Sequence, residues 1–189
     1  MDVPLNSPSG VSSSRVITPG TLFMAVGVFA LIAVIGMQMI RRNAGPLTQG
    51  PAPDFSIELY SGDTFTLAEQ RGKFVVVNFW GSWCMGCREE ASELQSAWEK
   101  YRGSGVSVIG VSFRDDEASA RKFLDEFALT FPTGSDTSLN ITAAYGITGA
   151  PQTYIVGPDG SVVDFALGQF QPGWLDQTLE RLLAGDPAS

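Results

Sequence analysis

The sequence lacks histidine, contains only two cysteines, and has few basic residues relative to its acidic ones. Without histidine the chain has no imidazole general base and no Ser-His-Asp triad, and it lacks the side chain that most often binds metals. Two cysteines without histidine form a poor tetrahedral zinc site, and they cannot form a framework of several disulfides. These absences leave one conspicuous reactive element, the pair Cys84 and Cys87.

The charge balance excludes classes of partner. The chain has 12 Lys and Arg against 20 Asp and Glu, and beyond residue 43 these counts are 9 and 19, which leaves a net charge of −10. A surface this acidic disfavours nucleic acid and anionic lipid head groups, because both attract basic patches. Apolar residues are plentiful, at 44% of the chain with 12 Phe and 4 Trp, and they can form the core of a single domain of ordinary size.

The N-terminal region predicts a membrane anchor. Residues 1–20 are rich in Ser, Pro and Gly and are interpreted as a flexible tail, whereas residues 21–40 contain no charge. A helix of about 20 apolar residues matches the roughly 30 Å hydrocarbon core of a bilayer. A cleaved signal peptide would have a shorter apolar region, and a buried core helix would show a polar face. We therefore interpret residues 21–40 as a single transmembrane helix.

The remaining chain alternates strands and helices. Residues 41–53 are interpreted as a Pro/Gly linker, and residues 54–189 as one folded domain that begins with a β-hairpin at 54–67. Hydrophobic patterning predicts strands at 74–80, 106–112, 153–156 and 162–167, and helices at 85–101, 117–127, 138–145 and 172–183. This order predicts an α/β fold in which a mixed central sheet is flanked by helices on both faces.

The cysteine pair lies where a buried strand leads into a helix. The N–H groups at a helix N-terminus carry a partial positive charge, which favours the thiolate of Cys84 and makes it the attacking residue. Cys87 lies one helical turn further, so its sulfur can resolve a mixed disulfide formed at Cys84. A purely structural disulfide and a metal-binding pair remain alternatives at this point.

The segment NFWGSWCMGCREE, residues 78–90, resembles the active-site signature of the thioredoxin superfamily. In detail it is similar to the membrane-tethered branch of TlpA/ResA-type proteins and cytochrome c maturation thioredoxins, and the similarity extends over residues 51–185. The resemblance implies a thioredoxin-like fold with an added N-terminal β-hairpin and the activity of a thiol–disulfide oxidoreductase. It also implies a redox-active Cys84–Cys87 disulfide.

A second matching segment, YGITGAPQTYI at residues 145–155, resembles the cis-proline loop of that branch. The resemblance implies a cis bond between Ala150 and Pro151. It also implies that the backbone of Ala150 binds the substrate strand, while Pro151 shields the sulfurs. The alternative is an ordinary trans proline at the start of a strand.

Two further residues have open roles. Thioredoxins carry a buried Asp at the position of Asn78, and membrane-tethered members often use a Glu on the active-site helix instead, which here corresponds to Glu90. The alternative is that Glu90 is a solvated acid near the helix N-terminus. Trp83, next to Cys84, is interpreted as part of an exposed apolar platform for substrates, with simple packing as the alternative.

Location and partners follow from this chemistry. The arginines at positions 15, 41 and 42 slightly favour a cytoplasmic domain, but disulfides persist outside the cytoplasm. We therefore expect the domain on the outer face of a bacterial membrane. There we expect it to reduce disulfides in client proteins such as apocytochrome c or a metal-site assembly protein, with electrons from a transmembrane thiol carrier and with no cofactor or metal. The alternatives are a dithiol oxidase, a non-enzymatic binding module, and a peroxiredoxin, which Gly81 disfavours because it replaces the expected Thr.

Overall fold

The computed structural model of the chain describes residues 27–36 and 46–185. The chain divides into two compact units, Met1–Asn43 and Ala44–Ser189. In the first unit, helix α1 at residues 27–36 exposes its large apolar side chains. The described residues include no helix that is both long enough and apolar enough to cross a membrane. The rest of the predicted tail and anchor lies outside the described residues, as do residues 41–45 of the predicted linker.

Within the described residues 46–185, eight strands form two sheets. The strands are β1 (Gly50–Pro51), β2 (Ser56–Glu58), β3 (Thr64–Thr66), β4 (Phe74–Trp80), β5 (Val106–Ser112), β6 (Thr133–Ser135), β7 (Gln152–Val156) and β8 (Ser161–Leu167). Strands β2 and β3 pair antiparallel as a separate hairpin. The other six form one sheet in the order β1-β8-β7-β4-β5-β6. Because β4 is parallel to β5 and antiparallel to β7, the sheet is mixed, as predicted.

The helices in the described part of the second unit are α2 (Met85–Tyr101), α3 (Glu117–Glu126), α4 (Asn140–Ala144) and α5 (Trp174–Leu183), and a 3-10 turn spans Leu67–Gln70. Alternate residues of β4 point to opposite faces of the sheet. Val75 and Val77 join a core cluster with the hairpin and α4, whereas Val76 joins a cluster with α2 and α5. In the part of the chain that the structure describes, all buried clusters lie within residues 47–182, so we expect residues 44–189 to fold on their own.

The predicted central elements are confirmed, and the peripheral ones differ. Strands β4 and β5 and helix α2 have the predicted bounds, because long runs of β-branched residues and a long amphipathic helix give strong signals. The three-residue strand β6 gave no such signal. Gly50 and Pro51, within the predicted linker, pair with Val162 and Ser161 at the sheet edge, where proline is tolerated.

Helix α5 has no N-terminal cap from its own sequence, because Gly173 occupies the capping position. Glu93 of α2 supplies the cap instead. Its carboxylate accepts hydrogen bonds from the backbone N–H groups of Gly173 and Leu175, at 2.9 and 3.1 Å. A carboxylate at this position also complements the helix dipole. Glu93 therefore ties the active-site helix to the last helix of the domain.

We expect Glu93→Ala to lower the free energy of unfolding of residues 44–189 by about 1 to 2 kcal/mol, because two N–H groups at the start of α5 lose their acceptor. Urea unfolding monitored by circular dichroism measures this loss. Glu89→Ala is the matched control, because Glu89 lies exposed on the same helix. Equal losses in the two variants would contradict the capping role.

Candidate active site

Cys84 is the residue that caps α2. Its backbone is extended, with φ −89° and ψ 115°, and its sulfur accepts a hydrogen bond from the backbone N–H of Cys87 at 3.1 Å. The two cysteines form a disulfide with each other. Both residues are buried, with 4% of Cys84 and 2% of Cys87 exposed. The sulfur of Cys84 therefore lies at the positive end of the helix dipole, where a thiolate is favoured once the disulfide is reduced.

The loop before Cys84 is held by the segment that follows β5. The backbone N–H and the hydroxyl of Ser82 both donate to the carboxylate of Asp115, and Trp83 Nε1 donates to the carbonyl oxygen of Arg114 at 3.1 Å. The ring of Phe113 meets the indole of Trp83 edge-on at 5.9 Å. These contacts fix Trp83 in a position where it is 54% exposed beside the disulfide. Trp80, by contrast, is buried in the core.

Pro151 packs against the turn between the cysteines. The Ala150–Pro151 bond is cis, as the resemblance implied. A Cβ atom built on Gly86 would lie 3.2 Å from Cδ of Pro151 and 3.3 Å from Cβ of Gln169. A side chain at position 86 would therefore push against the proline loop. The neighbours would have to shift by a few tenths of an ångström to accept a side chain there.

Glu90 is buried rather than solvated, with 2% of its surface exposed. Its Oε1 accepts a hydrogen bond from Nδ2 of Asn78 at 2.9 Å, and the same Nδ2 donates to Oγ1 of Thr153 at 2.9 Å. The other oxygen, Oε2, is buried without a hydrogen-bond partner. The interpretation of Glu90 as a solvated acid is therefore wrong, because α2 directs this side chain towards the sheet and not towards water.

Burial raises the pKa of Glu90 from 4.5 to about 7, since a carboxylate is poorly solvated in this environment. The hydrogen bond from Asn78 and a smaller contribution from the backbone N–H of Phe170 act in the opposite direction, and the nearby negative charge of Glu93 adds to the rise. A carboxyl group with a pKa near neutrality can both accept and release a proton at physiological pH. It lies one helical turn from Cys87, on the same face of α2.

The site just described has the geometry of a dithiol–disulfide centre, and a family model supports this assignment. The model, described as the AhpC/TSA family, matches residues 48–165. The chain belongs to the AhpC/TSA family. It is a thioredoxin-like thiol–disulfide oxidoreductase, as the motif around Cys84 and Cys87 predicted.

Curated relatives and solved structures agree with this oxidoreductase assignment. The chain is 25% identical over 170 residues to the thiol-disulfide oxidoreductase ResA of Bacillus subtilis, covering 87% of this chain and 95% of the relative. It is 32% identical over 132 residues to ResA of Halalkalibacterium halodurans, covering 70% and 73%. A crystal structure of a thiol:disulfide interchange protein from Chlorobium tepidum has a TM-score of 0.65 and 25% identity, covering 74% of this chain and 99% of that one.

Sequence reasoning did not assign a role to Asn78 or Thr153 in this oxidoreductase. Both are polar residues inside mainly apolar strands, and both are fully or almost fully buried. Buried polar groups need hydrogen-bond partners, so this pattern was a usable signal. What the sequence does not contain is the register that places the two residues opposite each other on β4 and β7.

The raised pKa of Glu90 predicts a pH dependence of stability. The folded protein binds the Glu90 proton more tightly than the unfolded chain does, so this contribution to stability is present below pH 4.5 and is lost as the pH rises to about 7. Over this range the loss approaches about 1.4 kcal/mol per pH unit. We expect Glu90→Gln to flatten this decline, because the amide does not titrate.

Urea unfolding of the oxidised domain at pH values of about 5, 6 and 7 measures the decline. Glu89→Gln is the matched control and keeps the slope of the parent protein, because Glu89 is exposed. An unchanged slope in Glu90→Gln would show that Glu90 titrates normally.

Proposed function

We propose that this oxidoreductase reduces disulfides in client proteins outside the cytoplasm, with Cys84 as the attacking residue and Cys87 as the resolving one. The observation that carries the proposal is the capping of α2 by the Cys84 sulfur, with Cys87 one turn behind it. The helix dipole lowers the thiol pKa of the residue at the cap most strongly, because the effect falls off within the first turn. Cys84 is therefore the better nucleophile of the two.

The reaction balances in two exchange steps. The Cys84 thiolate attacks one sulfur of the client disulfide, which forms a mixed disulfide and releases the first client thiolate. The thiol of Cys87 then loses its proton and attacks the Cys84 sulfur, which forms the Cys84–Cys87 disulfide and releases the second client thiolate. Two electrons pass from the enzyme dithiol to the client, and the client thiolates take up two protons.

Glu90 is proposed to accept the proton that Cys87 loses. A thiol must become a thiolate before it attacks, and a nearby base of suitable pKa speeds that step. The buried carboxyl of Glu90 has a pKa of about 7, and its Oε2 has no other partner. In the reverse reaction the same group returns the proton to Cys87.

Trp83, Ala150 and Pro151 are proposed to bind the client beside the disulfide. Trp83 offers an exposed apolar ring next to Cys84. Within the part of the chain that the structure describes, neither the N–H nor the carbonyl group of Ala150 makes a hydrogen bond. These free groups suit an extended client segment, which would pair with them as a strand pairs with a sheet edge. Pro151 then limits access of water and small thiols to the sulfurs.

A membrane location is part of the proposal. Helix α1 exposes six large apolar side chains by 49 to 78%, and such side chains favour lipid over water. A single anchor at residues 21–40 would hold the domain at the outer face of a bacterial membrane, where disulfides persist. Electrons would then come from a transmembrane thiol carrier. Apocytochrome c and metal-site assembly proteins are candidate clients, because both need reduced cysteine pairs.

The order of attack predicts different fates for the two cysteine variants. We expect reduced Cys87→Ser to accumulate a stable mixed disulfide with a peptide that contains one disulfide, because Cys84 attacks and nothing resolves the product. Cys84→Ser should form no such adduct on the same timescale. Mass spectrometry of the acid-quenched mixture measures both adducts. If Cys84→Ser formed the adduct and Cys87→Ser did not, the assigned roles would be reversed.

A further inference from the structure

Asn78 is a buried polar residue in the middle of the central strand. Only 2% of its surface is exposed, and its neighbours Val77 and Phe79 are fully buried. A buried amide is costly unless it is hydrogen-bonded, so its partners indicate why it is present. Nδ2 has two hydrogens, and both are used: one bonds Oε1 of Glu90 and the other bonds Oγ1 of Thr153.

The Thr153 hydroxyl fixes the orientation of this amide. Asn78 and Thr153 lie directly opposite each other in the antiparallel register of β4 and β7. With one N–H bonded to Thr153, the other N–H donates to the carboxyl group that α2 presents. Three elements, β4, β7 and α2, therefore meet in one hydrogen-bonded group that contains no formal charge when Glu90 is protonated.

The two oxygens of Glu90 are made unequal by this arrangement. Oε1 is occupied by Asn78, whereas Oε2 is buried and has no partner. Cys87 is the ionisable residue one turn away on the same helix. An oxygen without a hydrogen-bond partner, on the same helix face as the resolving thiol, is available for proton exchange, and a fixed Oε1 prevents the carboxyl from rotating away.

We propose that Asn78, oriented by Thr153, is a positioning residue that fixes Oε1 of Glu90 and leaves Oε2 as the oxygen that exchanges a proton with Cys87. This inference rests on the proposed role of Glu90 in the proton transfer. Asn78 itself neither titrates nor takes part in bond exchange.

The groups around Glu90 determine how strongly the Asn78 amide affects its ionisation. On α2, Glu93 is the negative neighbour that disfavours the carboxylate. Strands β4 and β7 contribute the neutral side chains of Asn78 and Thr153, and the backbone N–H of Phe170, in the segment before α5, is a second donor that favours the carboxylate, less strongly than Asn78 does. Within the described residues no salt bridge engages Glu90, and Arg88 is paired with Glu126. The amide is therefore a main group that favours the charged form.

The test uses variants of residues 44–189 that alter the amide without altering the cysteines. Asn78→Leu removes both N–H donors at similar volume, and Thr153→Val removes only the hydroxyl that orients them. Thr142→Val is the matched control, because it removes a buried hydroxyl whose hydrogen bond goes to Asp136 and not to the site. If Asn78→Leu does not fold, the results for Thr153→Val decide the test.

Two readouts separate positioning from mere stability. Carbon NMR of the Glu90 carboxyl in the oxidised protein follows its titration directly. Rapid-quench measurement of mixed-disulfide resolution, at a series of pH values, follows the proton step. We expect Asn78→Leu to move the Glu90 midpoint above its starting value of about 7 and Thr153→Val to move it less in the same direction. Both variants should shift the pH profile of mixed-disulfide resolution in that same direction. Thr142→Val should change neither the Glu90 midpoint nor this profile.

The outcomes distinguish this inference from the proposed function. If Glu90→Gln leaves the resolution profile unchanged, Glu90 does not transfer the proton, and the positioning role falls with it. If Glu90→Gln flattens the profile but neither Asn78→Leu nor Thr153→Val moves the profile or the NMR midpoint, Glu90 acts without Asn78 and the positioning role alone is overturned.

Discussion

The junction between β4 and α2 is the constraint on which the rest of the site depends. Strand β4 is fixed in the centre of the sheet by β5 on one side and β7 on the other, so the point at which it ends is also fixed. The helix that follows begins immediately after Cys84, and the sulfur of that residue takes the place of an ordinary capping oxygen. One hydrogen bond, from the N–H of Cys87, thus joins the local geometry of the helix start to the chemistry of the thiol.

The same burial that builds the core also sets the chemistry of Glu90. Moving its pKa from 4.5 to about 7 corresponds to about 3 kcal/mol in favour of the protonated form. This net preference remains even though hydrogen bonds from Asn78 and from the backbone of Phe170 favour the charged form, so desolvation outweighs both of them. Burial opposed by these few donors is therefore what keeps this carboxyl poised near neutrality.

The parts of the fold that the sequence predicts are those with strong local signals. The run FVVVNFW predicts a strand that is covered on both faces, and the cysteine spacing predicts the start of a helix. Both predictions depend only on residues that are neighbours in the chain. The pairing of Asn78 with Thr153 joins residues 75 positions apart, and no local pattern specifies that register. The sequence also could not predict that Glu90 is buried. Glu89 and Glu93 lie close to it, and only the docking angle of α2 decides which of the three glutamates faces the sheet.

The reduction potential of the Cys84–Cys87 pair tests the central claim most directly. It is measured on residues 44–189 by equilibration in glutathione or dithiothreitol buffers of known potential, followed by quantification of the free thiols. A dithiol that serves as a reductant should have a potential near or below about −220 mV, because it then gives up its electrons readily. A value near about −120 mV would mark an oxidant and would contradict the proposed direction, while leaving the site itself in place.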